Sequence, residues 1–228
     1  MTRFDQLCDR AKLLGLAVRG GFHPHPGEFQ ESFPSLSIAT VVLLGFTGSA
    51  QWACFEGSPE ARDGRADPLD RWSRRQVGTL AREFAATDVY PSGPSPAPLP
   101  FQRLALRSEP VHQSPIGLLI HPTWGLWHAY RGALLWGERI ELPDIVHSPH
   151  PCTSCAGRPC LSACPVDAFT AGGFSLQRCL GHVRSPGGAP CREEGCLARR
   201  ACPVGAGHRY REEQDRFHMR AFLRSMRA

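Results

Sequence analysis

Apolar positions recur at three- and four-residue intervals from the start of the chain, where Phe4, Leu7, Ala11 and Leu14 mark one face of an amphipathic helix over residues 3–17. Arg19-Gly20-Gly21 reads as its loose end. The period then changes. Leu36 to Phe46 is a nearly unbroken aliphatic and β-branched run, short enough to predict a buried strand. After a loop from Gly57 to Gly64, Asp67 as a cap, Pro68 at the first helical position and Asp70 near the positive end of the dipole announce a second helix. Leu69, Trp72, Val77, Leu80, Ala81 and Phe84 form its buried stripe, with Arg71, Arg74, Arg75 and Arg82 mostly outside it. Asp88 to Tyr90 reads as a short strand. Pro91 to Pro100 carries five prolines and excludes regular structure.

Two apolar runs follow, Gly117–Ile120 and Leu126–Trp136, separated by a break at His121-Pro122. Both faces of the second are largely apolar, which predicts a buried strand with His128 and Arg131 embedded in it. An arginine in such a run is costly unless it meets an anion or a carboxylate. Arg131 is therefore a candidate for binding an anionic group, with a structural ion pair as the competing reading. In the tail, Tyr210, Phe217, Ala221 and Met226 share a rough helical face, acids come early and arginines late, and the order suits a helix dipole. His23 and His25 alternate with prolines and read as a solvated loop.

Composition changes this picture little. The 228 residues are 42% hydrophobic, enough for a packed core, and the net charge is +5. The basic residues are arginines apart from Lys12. Arginine forks suit phosphates, but acids interleave with the arginines of the tail and no nucleic-acid motif is present, so the expectation is no nucleic-acid partner. The opening residues carry an acid and no apolar run, and the longest apolar run, Ile38 to Phe46, is about half a membrane span. The expectation is a cytoplasmic chain with free thiols and no membrane partner.

The chemistry lies in the cysteines. Cys8 and Cys54 sit among apolar neighbours and read as small core residues. The other eight fall between Cys152 and Cys202, as Cys152-x2-Cys155-x4-Cys160-x3-Cys164-Pro165, then Cys179, then Cys191-x4-Cys196-x5-Cys202-Pro203. The halves echo each other in Cys-Leu-Ser-Ala-Cys-Pro-Val and Cys-Leu-Ala-Arg-Arg-Ala-Cys-Pro-Val. In two-cluster ferredoxins, three close cysteines wrap one [4Fe-4S] cluster and the fourth, before proline, ligates the other. That logic assigns Cys152, Cys155, Cys160 and Cys202 to one cluster, and Cys164, Cys179, Cys191 and Cys196 to the second. The longer gaps enlarge a loop at little entropic cost. Zinc is the main alternative, although it favours tight cysteine pairs and only one is present. Disulfides would require a secreted chain.

The stretch Ile120-His121-Pro122-Thr123-Trp124-Gly125-Leu126-Trp127-His128-Ala129-Tyr130-Arg131-Gly132-Ala133-Leu134-Leu135 resembles the His-Pro-x-x-Gly-x-Trp-x-Ala-x-Arg-Gly segment of the CblC family of cobalamin-processing proteins. The likeness continues through Gly137, Glu141, Pro143-Asp144 and His150, and more faintly back to the first helix. It implies an α+β, nitroreductase-like sheet-and-helix domain with a cavity for a corrinoid, and reductive chemistry there. The family's arginine and tryptophan fall on Arg131 and Trp127. The join to the cysteine segment is similar to that of epoxyqueuosine reductases and reductive dehalogenases, corrinoid enzymes with a two-cluster ferredoxin part.

Together these readings divide the chain into a CblC-like cofactor and substrate domain (1–148), a small dicluster ferredoxin-like domain (149–208) and a C-terminal helix (209–228). The expected function is an iron–sulfur oxidoreductase that receives electrons from a reductase or ferredoxin. It would pass them to a corrinoid or flavin and act on a small-molecule substrate. His121 would donate a hydrogen bond or proton, Arg131 would hold an anionic group, and Trp124 and Trp127 would wall the cavity. A non-enzymatic electron carrier, a corrinoid chaperone and a zinc protein remain as alternatives.

Overall fold

The computed structural model describes residues 1–92, 99–170 and 172–226. Most of the proline-rich segment expected to be irregular, residues 93–98, and the end of the C-terminal helix at 227–228 lie outside the described residues. The elements, in order, are α1 (Arg3–Leu13), β1 (Ala17–Phe22), β2 (Thr40–Thr47), α2 (Trp52–Glu56), α3 (Pro59–Arg62), α4 (Pro68–Glu83), β3 (Thr87–Val89), α5 (Phe101–Ser108), β4 (His112–Gln113), β5 (Leu119–Ile120) and β6 (His128–Trp136). They continue with α6 (Pro159–Ser162), β7 (Phe169–Thr170), β8 (Gly173–Phe174), α7 (Leu176–Arg184), α8 (Ala189–Glu193), α9 (Leu197–Arg200) and α10 (Glu212–Ser225). This is a mixed helix-and-sheet chain. No helix among the described residues is long and apolar enough to cross a membrane.

Two compact units form, one from Met1–Pro110 with His128–His147, the other from Val111–Trp127 with Ser148–Ala228. Sequence order places residues 1–148 in one domain. The contacts instead place Val111–Trp127, including most of the His-Pro-x-x-Gly-x-Trp stretch, with the cysteines.

The first unit is an antiparallel sheet in the order β1-β2-β6-β3, with α4 packed on β6. β2 and the second half of β6 are buried, as their apolar runs dictate. The stripe of α4 is buried as expected at Leu69, Trp72, Val77, Leu80 and Ala81. Its start departs from expectation: Asp67 adopts φ 49° and its side chain makes no capping bond. Helix α1 opens with a capping box between Thr2 and Asp5 but ends at Leu13, because Gly15 at φ 75° turns the chain.

Arg19-Gly20-Gly21, read as a loose end, is instead part of β1. Between Val18 and Gly21 the register with β2 shifts in a bulge. Gly20, at φ 77°, lies so close to Ser108 that a Cβ would stand 2.0 Å from its carbonyl oxygen. The bulge puts Arg19 in the core, 1% exposed. Its Nε and Nη2 donate to Glu109 at 3.1 and 2.8 Å, and its Nη1 donates to the Phe46 carbonyl at 2.6 Å. The Tyr130 hydroxyl completes the group on Glu109, and the Tyr130 ring faces the guanidinium at 5.2 Å. Burial pushes the Glu109 carboxyl above its ordinary value although Arg19 pulls it down. Cys54, expected in the core, is exposed on α2, while Cys8 is half-buried on α1.

In the second unit, β4 and β5 form a short hairpin, so the strand expected over Gly117–Ile120 narrows to its last two residues. The break at His121 is a tight loop in which His121 and Gly125 exchange backbone bonds of 2.8 Å. A Cβ on Gly125 would stand 1.9 Å from the Val204 carbonyl oxygen, and one on Gly205 would stand 2.5 Å from the Gly125 nitrogen. Two backbones therefore touch where the loop meets the chain leaving the second Cys-Pro step. α10 carries its acids in the first turn and Arg224 in the last, as its sequence predicts.

Removing the Glu109 charge leaves Arg19 buried and unbalanced, so Glu109→Ala is expected to lower unfolding free energy by about 3–5 kcal/mol in urea titration. Gly125→Ala and Gly117→Ala both place a side chain at positive φ, but only the first meets another backbone. The Gly117 change is expected to cost about 1–2 kcal/mol, and the Gly125 change distinctly more, read as the difference in thermal midpoints.

Candidate metal centre

Short elements present the eight clustered cysteines. Cys152 and Cys155 lie on the loop after His150, whose Nδ1 accepts the Cys152 N–H at 3.2 Å. Cys160 is on α6, Cys179 on α7, Cys191 on α8 and Cys196 at the N-cap of α9, while Cys202 follows α9. Helices this short hold no stability of their own. They are fixed by an apolar cluster of Ile116, Ile120, Leu126, Cys160, Ala198 and Cys202, with Cys152, Cys164, Cys196 and Val204 packed against it.

The thiols fall into two electrostatic neighbourhoods. Burial raises Cys152 above the ordinary thiol value, and the nearby thiols of Cys202, Cys160 and Cys155 add to the shift. Cys202 in turn is raised by burial and by Cys160 and Cys155. In the other group burial pushes Cys179 up to about 11, helped by Cys196, Cys164 and Cys191. Cys191 is likewise raised, and Cys196 and Cys164 act on it. The structure thus brings Cys202 to Cys152, Cys155 and Cys160, and Cys164 to Cys179, Cys191 and Cys196. All ten cysteines are free thiols.

A small cavity of about 10 Å³ lies inside the first group, walled by Cys152, Cys155, Cys160 and Cys202 together with Ser114, Ile120, Leu126 and Arg158. Ser114 is 6% exposed and its hydroxyl has no hydrogen-bond partner among the described residues. Soft thiolate donors, an apolar wall and one orphaned hydroxyl form a chemically consistent seat for a sulfide-bearing cluster. Among the described residues, no three His, Cys, Asp or Glu side chains converge on a single-ion position.

The other residues singled out from sequence are placed differently. His121 is buried, its Nδ1 accepts the backbone N–H of Thr123 at 3.0 Å, and it stacks on Trp124 at 4.0 Å. Trp127 is fully buried, edge-on to Tyr210 at 5.5 Å. These three belong to the cysteine-bearing unit, whereas Arg131 belongs to the other. Arg131 donates to Ser73 Oγ at 2.9 Å and pairs with Asp70 on α4.

Arg199 escaped the sequence reading. It stacks between the Trp127 and Tyr210 rings at 4.6 and 4.3 Å and donates twice to the Leu126 carbonyl, at 3.1 and 2.6 Å. The same unit holds Asp215 beside Gly195, bonded to Arg200 at 2.9 Å. Burial pushes the Asp215 carboxyl up to about 6 against the pull of Arg199 and Arg200. Nothing in a single arginine's sequence context distinguishes Arg199 from its neighbour Arg200.

No protein-family model matches the chain. No curated protein matches it significantly. Solved structures do. An epoxyqueuosine reductase from Streptococcus thermophilus superposes with a TM-score of 0.56 at 15% identity, over 92% of this chain and 68% of that one. A second, solved with an epoxyqueuosine-modified tRNA-Tyr stem loop, gives 0.57 at 14% identity over 91% and 66%. A third, from Bacillus subtilis, solved with a catalytic loop swung out of the active site, gives 0.56 at 14% over 90% and 66%. The chain therefore spans about two thirds of their length. The tRNA complex overturns the expectation that no nucleic acid is a partner, since a protein of this fold binds RNA. What the likeness establishes for this chain is the fold of the epoxyqueuosine reductases.

Proposed function

We propose that the chain is an iron–sulfur oxidoreductase in which Cys152, Cys155, Cys160 and Cys202 hold one [4Fe-4S] cluster and Cys164, Cys179, Cys191 and Cys196 hold another. The observation that carries this reading is the exchange of the two Cys-Pro cysteines between the halves, with Cys202 beside Cys152 and Cys164 beside Cys191. Such an exchange is the signature of paired clusters, whereas a structural zinc site is built from local pairs. When bound, the clusters supply single electrons. The chain's own contribution is exclusion of water by Ile116, Ile120, Leu126 and Ala198, and soft thiol donors at fixed positions.

The corrinoid or flavin acceptor rests on resemblance alone, and the residues named for it are engaged elsewhere. Trp127 is enclosed by Tyr210 and Arg199, His121 accepts backbone N–H groups, and Arg131 is held by Asp70 and Ser73. The residues named for the acceptor therefore give no support to either cofactor.

The likeness to a tRNA-bound reductase supports a modified nucleoside in an RNA stem loop as the substrate class. Charge distribution supports it independently. The cysteine-bearing unit carries twelve arginines against six acids, whereas the other has fourteen basic residues against fifteen acids. Arg184, Arg220 and Arg224 of that basic unit are exposed. Phosphates are the natural counterpart of such a surface.

Two measurements test the reading. Anaerobically purified protein is expected to contain about eight irons and eight sulfides per chain, and Cys202→Ser to lose about half; zinc without sulfide would overturn the assignment. A tRNA stem loop is expected to bind at about 50 mM salt and to weaken at least tenfold by about 200 mM. No binding at the lower salt would remove RNA as the substrate class.

A further inference from the structure

Ser114 lies at the turn that joins β4 to β5. Its backbone N–H donates to the Leu118 carbonyl at 2.9 Å, and its carbonyl accepts the Gly117 N–H at 2.9 Å. The hairpin thus fixes this residue through its backbone, and the hydroxyl has no part in the turn. That hydroxyl is buried, and among the described residues it meets neither donor nor acceptor. Buried polar groups are nearly always paired, because an unpaired one forfeits its bond to water without compensation. Here the residue stands in the wall of the cavity that Cys152, Cys155, Cys160 and Cys202 surround; Arg158 is the other polar side chain of that wall besides the thiols, and Pro115, Ile120 and Leu126 offer none.

We infer that Ser114 is an outer-shell donor whose O–H bonds to a sulfur of the group held by Cys152, Cys155, Cys160 and Cys202, and that it raises the reduction potential of that group alone. The inference rests on the iron–sulfur reading. Reduction adds one electron, and the sulfurs carry part of the added negative charge. A donor aimed at them therefore stabilises the reduced form more than the oxidised one. Ser114 lines the cavity of the first group, so the effect separates the two potentials.

The test is a dithionite titration of the holoprotein under potential control, followed by electron paramagnetic resonance. Ser114→Ala is expected to shift the reduced-to-oxidised ratio of one cluster about tenfold toward oxidised at a fixed potential, equivalent to about 59 mV for one electron. The other cluster is expected to stay put. Equal potentials in an iron-replete Ser114→Ala protein would overturn the inference, as would a rise in its thermal midpoint, the mark of deleting an unpaired hydroxyl. Should the alanine variant fail to take up iron, Ser114→Thr and Ser114→Val form a pair of matched shape. The threonine keeps the wild-type potential and the valine lowers it, and identical potentials in the two would also overturn the assignment. Wild-type protein without iron and sulfide would remove the iron–sulfur reading itself, which is a different failure from a loaded wild type that Ser114→Ala matches.

Discussion

The cysteine-bearing unit depends on one close approach of backbones, Gly125 against Val204 and Gly205. Eight thiols must be drawn out of water by elements of four to nine residues, none long enough to be stable by itself. The loop from His121 to Trp127 supplies what they lack. It brings Leu126 and Ile120 to the apolar cluster and offers the Leu126 carbonyl to Arg199, whose ring stacking ties α9 to Trp127 and Tyr210. Side chains at Gly125 or Gly205 would hold the two segments apart. A segment that precedes Cys152 by 25 residues or more is thus as much a part of the candidate metal centre as the loops between the cysteines.

Much of this was legible in the sequence because the signal was periodic or chemically unusual. Helix α4 and strands β2 and β6 follow from apolar spacing, and the two Cys-Pro steps underlie the grouping of cysteines proposed for the clusters. What escaped was set by tertiary contact. Gly20 and Gly21 look like helix breakers, and only the neighbouring Ser108 carbonyl explains a bulge there that turns Arg19 inward. Helix α5 hides behind a proline-rich stretch, with its short stripe of Phe101, Leu104 and Ala105 too brief to register as a period. Arg131 carried two readings, and Asp70 and Ser73 supply the structural ion pair, although Asp70 lies 61 residues away in sequence.

The rejection of nucleic acid failed for a different reason. A net charge of +5 over the whole chain is modest, and acids in the tail seemed to offset the arginines. Averaging concealed that the excess belongs entirely to one unit, with the other close to neutral. Electrostatic attraction to phosphate depends on the local surface within a Debye length, about 8–10 Å at physiological salt. Charge counted by unit rather than by chain points toward an anionic polymer.

The two units also solve the burial of polar groups in opposite ways. In the first, Arg19 is closed within the chain by Glu109, the Phe46 carbonyl and the Tyr130 ring, so every charge meets its counterpart. In the second, burial and mutual repulsion hold Cys152, Cys179 and Cys202 above the ordinary thiol value, and among the described residues no side-chain cation is hydrogen-bonded to them. A raised thiol keeps the neutral form that burial favours, which leaves the apolar cluster around it undisturbed. Under the proposed iron–sulfur reading, loading would displace those protons and would be favoured as pH rises toward the raised thiol values. The counter-charge that Arg19 meets within its own unit would, for these thiols once deprotonated, be brought by the proposed metal group.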